Sequence, residues 1–256
     1  AVISFLWLMQ LGFLVTRGDM HFAFGTLILA MGVMMIIGGR ITPNFSRNWL
    51  SFNGTDAADR ITISPLLEKL TPASIFVLLA ATLADLIPAV HALGFYPWVI
   101  AALALIAAGI AFTRLALWHG WLVMKEPLLW ILHLSMLWIP VALLLMAANK
   151  LFPQQVNEFV WVHALAVGGM AGLIIGVMTR VALGHTGRMM QLPRFIVITY
   201  FLVHLGAILR LAAEFVPAFF AHLVYCSAIL WTLAFLYFLV VYLPILMSPR
   251  ADGREG

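Results

Sequence analysis

The feature that constrains this chain most is a series of apolar runs, each about 20 residues long, separated by short polar segments. Hydrophobic residues occupy 64% of the 256 positions and charged residues only 9%, whereas a soluble domain carries about 25% charged residues. A run of about 20 apolar residues crosses the hydrocarbon core of a bilayer as an α-helix. Because lipid offers the backbone no hydrogen bonds, only helices or closed barrels can span it. These runs lack the alternation of barrel strands.

The sequence therefore predicts an all-α, polytopic transmembrane helix bundle with about eight membrane-spanning helices, forming one domain over residues 1–256. The first apolar run begins at residue 1 without a polar leader, so we expect a further N-terminal part before Ala1. The stretch Gly39–Thr71 is rich in proline, asparagine and glycine and is predicted to be an ordered loop with a short surface helix. The predicted helical segments are approximately 1–16, 21–38, 73–92, 97–117, 127–148, 160–183, 194–213 and 217–247.

Positive charges are distributed unequally between the two faces that these segments define. One face, side B, and its helix ends contain 11 of the 14 Lys and Arg residues, and the other face, side A, contains three. Cytoplasmic loops are enriched in Lys and Arg, so side B and the tail Ser248–Gly256 are predicted to be cytoplasmic. The side-B cations are Arg40, Arg47, Arg60, Lys69, Arg114, Lys125, Arg180, Arg188, Arg194, Arg250 and Arg254; the side-A cations are Arg17, Lys150 and Arg210.

Composition also excludes several classes of protein. The single cysteine, Cys226, excludes a disulfide framework and any iron–sulfur or zinc site built from cysteines. The formal charge of +4 comes from cations that flank helices. No basic run interleaved with aromatic residues is present, so nucleic acid is excluded as a partner and the lipid bilayer is the predicted surrounding. The predicted loops are too short for a soluble catalytic domain, so any chemistry must use groups on the helices or at their ends.

Eight histidines are an unusual number for so apolar a chain, because polar side chains within a bilayer are costly and usually face the bundle interior. Each alone is explained most simply by a hydrogen bond, but imidazole is also a common ligand of haem, copper and iron. On a continuous helix His163 and His185 lie roughly 33 Å apart, so we expect them to belong to different sites. His133 enters from side B and is predicted to share an environment with His185. His21 and Met170 are the predicted neighbours of His163.

Three further features have two interpretations each. Gly168, Gly172 and Gly176 repeat at every fourth position, which favours close helix packing or a bare face for a flat macrocycle. Asp85 is an acid within a predicted helix and is either a proton relay or a partner for a neighbouring helix. Guanidinium groups near side B can reach water or pair with haem propionates. The arginines considered for propionates are Arg40, Arg47, Arg180 and Arg188.

Three stretches of the sequence stand out together. The most specific begins His-Ala-Leu-Ala-Val-Gly at His163 and ends Val-Met-Thr-Arg-Val-Ala-Leu-Gly-His-Thr-Gly-Arg at Arg188. The others are Gly-Gly-Arg-Ile-Thr-Pro-Asn-Phe-Ser-Arg-Asn at 38–48 and Trp-Ile-Leu-His-Leu at 130–134. With the tail Tyr-Leu-Pro-Ile-Leu at 242–246, they give a chain that resembles the NnrS family of bacterial membrane proteins over essentially its whole length.

The resemblance implies a multi-pass protein of the bacterial inner membrane, with about twelve helices, that binds haem b and copper. It also implies a link to nitric oxide metabolism, denitrification and resistance to nitrosative stress. The family histidines present are His133, His163 and His185. The His-rich family opening, near a Trp-His-x-His-Glu-Met pattern, is absent, which agrees with the expected N-terminal part of about four helices.

Two functional classes remain open. One is a haem and copper protein that binds or processes nitric oxide. The other is a membrane transporter or permease of a small solute, haem or copper. A structural or assembly role in association with a respiratory or denitrification complex is also open. The sequence assigns no reaction, so whether the chain is an enzyme stays undecided.

Overall fold

The computed structural model describes residues 2–253, and within that range it is helical with no β-strand, which confirms the all-α prediction. Ala1 and residues 254–256 lie outside the described residues, and with them the predicted start, Arg254 and the end of the predicted cytoplasmic tail. The α-helices are α1 Val2–Val15, α2 Met20–Phe52, α3 Pro65–Ala84, α4 Pro88–His91, α5 Tyr96–Leu117, α6 Pro127–Leu151, α7 Val160–His163, α8 Ala171–His185, α9 Val197–Phe215 and α10 Phe220–Met247.

Shorter helical elements join these α-helices. Three 3₁₀ helices occur in the described range, over Asp56–Arg60, Gly120–Val123 and Pro217–Phe219. Between α7 and α8 the chain forms a π-helix over Ala164–Met170, so α7, the π-helix and α8 make one continuous helical segment. A π-helix of this length is rare, and such segments occur frequently at functional sites.

Seven segments of the described chain are long and apolar enough to cross a membrane, with mean hydropathy between 1.5 and 2.3. The polytopic bundle is therefore confirmed. Helix α1 is apolar, but its 14 residues are fewer than the about 20 that a span needs, so the predicted count of eight becomes seven by length. The seven segments are Met20–Phe52, Pro65–Ala84, Tyr96–Leu117, Pro127–Leu151, Val160–His185, Val197–Phe215 and Pro217–Met247.

The predicted loop over Gly39–Thr71 is wrong. Helix α2 continues to Phe52 and α3 begins at Pro65, so only residues 53–64 separate the two helices. The predicted short surface helix is the 3₁₀ turn Asp56–Arg60 within this connection.

The continuation of α2 has a physical reason in its pattern of burial. Gly39, Pro43, Ser46 and Leu50 are all buried, and their spacing of four, three and four residues is that of one helix face. Apolar periodicity ends near residue 38, but burial with helical periodicity continues through small and polar residues. Pro43 removes only one helical hydrogen bond, and membrane bundles tolerate proline inside helices.

The chain divides into two compact units. The first consists of Ala1–His119 with Ile139–Val162, and the second of Gly120–Trp138 with His163–Gly256. Helix α6 contributes its first half to the second unit and its second half to the first. The prediction of a single domain stays a prediction.

Each unit has its own packed interior. In the first unit α2 packs against α1 and α3, and α3 packs against α5. In the second unit α9 packs against α10, α8 and the π-helix. Many large apolar side chains point away from these interiors, such as Leu236 and Val240 of α10, which are 52% and 61% exposed. Such outward apolar faces are those expected of helices surrounded by lipid.

Candidate functional site

The glycine ridge of the second unit is filled by side chains of α6. Each glycine faces a different α6 residue, and a Cβ added to Gly176 would lie 3.0 Å from Ile131. A Cβ on Gly168 would overlap the indole of Trp138. The helix-packing interpretation is therefore confirmed, and these glycines present no bare face to a macrocycle. From Gly168 to Gly176 the facing residues are Trp138, Ser135, and Ile131 with Leu132.

A histidine that the sequence did not single out lies beside this ridge. The indole N–H of Trp138 donates to Nδ1 of His204 at 2.9 Å, and His204 is 6% exposed. Since Nδ1 accepts, the neutral ring carries its proton on Nε2. Among residues 2–253, that buried Nε2 has no hydrogen-bond partner. In this tautomer Nε2 is a hydrogen-bond donor and offers no lone pair to a metal. His204 therefore contributes to the packing of α9 against α6.

His163 stands at the point where α7 becomes a π-helix, and its imidazole contacts a cation. Nη2 of Arg210, on α9, lies 2.6 Å from Nε2 of His163. Nη1 of the same guanidinium donates to Oε1 of Glu214 at 2.7 Å. Because guanidinium only donates, Nε2 of His163 is the acceptor, and the neutral ring carries its proton on Nδ1. His163, Arg210 and Glu214 thus form a half-buried polar cluster at side A of the second unit.

The π-helix changes the relation between His163 and Met170. Their seven-residue spacing would place them on one face of an α-helix. A π-helix bonds residue i to i+5 and so holds more residues per turn, and Ala164–Met170 is π-helical. A π-helix therefore does not keep the alignment that this spacing gives on an α-helix, and Met170 as a neighbour of His163 stays a prediction.

His133 and His185 lie on helices of the second unit with different degrees of burial. His133 is half-buried, and a Cβ added to Gly120 would lie 2.7 Å from its Nδ1. His185 is exposed at the end of α8, where its carbonyl oxygen accepts from Nη1 of Arg250 at 3.0 Å. Within residues 2–253 no three His, Cys, Asp or Glu side chains form a group that could hold a metal ion. Division of His133, His163 and His185 between two sites stays a prediction.

The four arginines considered for propionates are placed in both units. Arg40 and Arg47 are exposed on the side-B half of α2. Arg180 is half-buried in α8, while Arg188 is half-buried after it, with Nη1 3.4 Å from the carbonyl oxygen of Ile245. Their role towards a haem stays a prediction.

The C-terminal tail closes over the turn that follows α8. Nε and Nη2 of Arg250 donate to the carboxylate of Asp252 at 2.9 and 2.6 Å. This pairing raises the pKa of the Arg250 guanidinium. The amide of Ala251 donates to the carbonyl oxygen of Thr186. Gly187, at φ +67°, leaves no room for a side chain beside Asp252.

At side A of the first unit, carboxylates and imidazoles alternate. Nδ1 of His21 lies 2.8 Å from Oδ1 of Asp19, and its Nε2 lies 3.2 Å from Oδ2 of Asp85. The other oxygen of Asp85 lies 3.3 Å from Nδ1 of His91. Asp19 caps α2, and hydrogen bonds from the amide and then the imidazole of His21 lower its pKa. Asp85 thus contacts a neighbouring helix, α2, through His21. This is the helix-partner interpretation of Asp85 rather than the proton-relay one. Both ring nitrogens of His21 face carboxylates, so a metal would need one of these contacts to open.

The first unit contains a buried ion pair that the sequence did not predict. Arg114 of α5 is 2% exposed. Its Nε donates to Oε1 of Glu68 at 2.7 Å, and its Nη1 donates to the carbonyl oxygen of Met35 at 2.8 Å. A Cβ on Gly39 would overlap the guanidinium, so this glycine makes the space that Arg114 occupies.

Two features of the sequence indicate that Arg210 and Arg114 need charged partners. Arg210 and Glu214 are opposite charges four residues apart within an apolar run, which is the spacing of a helical ion pair. Arg114 lies inside a predicted helix, where a cation needs a partner. The sequence placed Arg210 and Arg114 only as cations near a membrane face. Their partners on other helices, His163 and Glu68, cannot be identified from spacing.

Comparison with known proteins gives one match. The chain matches the model of the family described as NnrS protein over residues 1–250. No curated protein and no solved structure matches it.

Proposed function

This chain belongs to the NnrS family, and from that membership we propose that it binds haem b and copper in the bacterial inner membrane. We place its role in nitric oxide metabolism and in resistance to nitrosative stress. The observation that carries the proposal is the cluster of His163, Arg210 and Glu214 at the start of the π-helix. The 11 cations on side B against three on side A support a cytoplasmic side B.

The chemistry of this cluster fits a haem. Imidazole is a frequent axial ligand of haem iron, and the Nε2 lone pair that accepts from Arg210 is the one that a metal takes. Guanidinium matches a carboxylate in geometry and charge. Arg210 could therefore donate its hydrogen bond to a haem propionate instead of to Nε2 of His163. Glu214 then keeps one edge of the guanidinium oriented. His163 would hold the iron, and Arg210 would hold a propionate.

The fit is poorer elsewhere in the second unit. The glycine ridge is filled by α6. The proton of His204 lies on Nε2, as its bond from Trp138 requires. For copper, imidazole and thioether are suitable ligands, which leaves His133, His185 and Met170 as the candidates in the second unit. The remaining candidate, His21, belongs to the first unit, where both of its ring nitrogens face carboxylates. A bound haem would supply an iron centre that binds a diatomic gas or carries an electron, depending on its open position.

The proposal is tested by the spectrum and metal content of the purified full-length protein. We expect a b-type reduced-minus-oxidised spectrum and bound copper. His163→Ala should remove most of the haem, because the axial imidazole is lost. The matched control is His222→Ala, since His222 is exposed at the start of α10, and it should keep the haem.

Two outcomes would contradict the proposal at different levels. A full-length protein that is colourless and free of copper would refute cofactor binding and favour the transporter alternative. A folded His163→Ala variant with its full haem content would refute only the assignment of His163.

A further inference from the structure

Side A of the first unit contains two adjoining spaces, which we call the funnel. The outer space, the vestibule, has a volume of about 670 Å³, and its lining includes Trp98 and Pro153. The inner space, the chamber, is more enclosed, with a volume of about 240 Å³. Asn149, Lys150 and Glu158 line both spaces, and we call these three residues the neck.

Two opposite charges at the neck have no partner among residues 2–253; Lys150 is half-buried and Glu158 is exposed. Lys150, at the end of α6, and Glu158, in the connection to α7, line the same space. Among residues 2–253 neither side chain makes a hydrogen bond or an ion pair, and they are too far apart to pair with each other. The amide of Asn149 donates to the carbonyl oxygen of Val156 at 2.8 Å, which fixes the connection that carries Glu158 against the end of α6.

The other charged groups of the chamber are already satisfied. Both oxygens of Asp85 lie within 3.3 Å of histidine ring nitrogens, so its carboxylate is engaged. The aromatic side chains of Phe24 and Trp161 meet edge to face at 5.4 Å between centroids. Both line the chamber, and aromatic faces attract ammonium groups.

The geometry points to a binding site for a compact zwitterion, whose anionic group pairs with Lys150 and whose ammonium group pairs with Glu158 beside Phe24 and Trp161. A zwitterion can pair with Lys150 and Glu158 at once, whereas a ligand with a single charge would leave the opposite side chain unpaired. The chamber lies below the roughly 300–1,000 Å³ of sites for drug-sized molecules, so the ligand is about the size of a small amino acid. The site belongs to the first unit and is independent of the haem proposal.

Glycine is the probe for this site, with acetate and methylammonium as its two single-charge halves. Binding is measured by calorimetry on the full-length protein in nanodiscs of phosphatidylglycerol. We expect glycine to bind at least tenfold more tightly than either half. Lys150→Met should reduce glycine binding to the level of methylammonium, and Glu158→Gln should reduce it to the level of acetate.

Matched controls lie in the same unit. Lys69→Met and Asp59→Asn remove exposed charges on α3 and on the 3₁₀ helix Asp56–Arg60 and should leave glycine affinity unchanged. Each variant is compared with the unsubstituted protein by its unfolding midpoint. No glycine binding, or binding of acetate or methylammonium equal to that of glycine, would overturn the proposal. Equal loss in the control variants would overturn it too.

A zwitterion can come from solution or from a lipid headgroup, and the lipid composition separates these sources. Phosphatidylethanolamine carries an ammonium and a phosphate. If its headgroup occupies the funnel, glycine affinity should fall severalfold in nanodiscs that contain it. Unchanged affinity assigns the site to a dissolved ligand.

Discussion

Arg114 shows how a charge is accommodated inside an apolar helix bundle. The side chain is 2% exposed, yet its guanidinium is satisfied by the Glu68 carboxylate and the Met35 carbonyl oxygen. An unpaired charge in this position would be expensive. The hydrogen bonds of Arg114 therefore join its own helix, α5, to α2 and α3.

At this site we expect Glu68→Gln to lower the free energy of unfolding by about 3 kcal/mol, because it leaves a buried guanidinium without its counter-charge. The measurement is unfolding of the protein in mixed micelles, followed by circular dichroism. The double variant Glu68→Met with Arg114→Met removes both charges and should cost less than Glu68→Gln alone. A single variant as stable as the unsubstituted protein would show that the pair contributes no net stability.

Residue identities alone revealed only part of the candidate site. His163 was predicted because histidine is rare in membrane helices and fits the family pattern. Its partner Arg210 lies 47 positions along the chain, and no spacing rule connects residues on different helices. The seven-residue spacing of His163 and Met170 places them on one face only in an α-helix, and sequence periodicity does not distinguish a π-helix from an α-helix over seven residues.

At the scale of single elements, the apolar runs located the membrane helices and missed what polar residues do within them. The run from 97 to 117 agrees closely with α5, Tyr96–Leu117. Helix α2 extends 14 residues beyond its predicted end at residue 38, because its buried face continues through Gly39, Pro43 and Ser46. Proline and asparagine predict a loop in water, but buried packing overrides that preference.

The glycine ridge gives a prediction for the contact of α8 and the π-helix with α6. Gly168→Ala places a methyl group inside the Trp138 indole and should destabilise the protein by about 1–3 kcal/mol, as overpacking does. Gly109→Ala on α5 is the control, since no atom of the described residues lies within 4 Å of its Cβ position. That change should be neutral or stabilising by up to about 1 kcal/mol, because alanine favours helices. Both are measured by unfolding in micelles, and equal effects would refute the packing role.

At the scale of the whole molecule, the distribution of charge sets the expected orientation. Side B has 11 of the 14 Lys and Arg residues, and short loops rich in these residues stay in the cytoplasm. The described chain has seven membrane-spanning segments. If the first of them begins on side A, the connection after α6 lies on side A and the C-terminal tail lies on side B.

The orientation is tested with a reporter enzyme that is active only in the periplasm. Fused after Gly256 it should be inactive, because the tail is on side B. Fused after Gln154, in the connection between α6 and α7, it should be active. The reverse pattern would exchange the two sides and place the funnel of the first unit in the cytoplasm.

The space that Gly39 leaves for Arg114 also constrains how this chain can evolve. A larger residue at position 39 would displace the Arg114 guanidinium from its present place, and without that guanidinium the carboxylate of Glu68 loses its partner. The three positions should therefore change together among relatives. A lineage that gains a side chain at position 39 is expected to lose both charges as well.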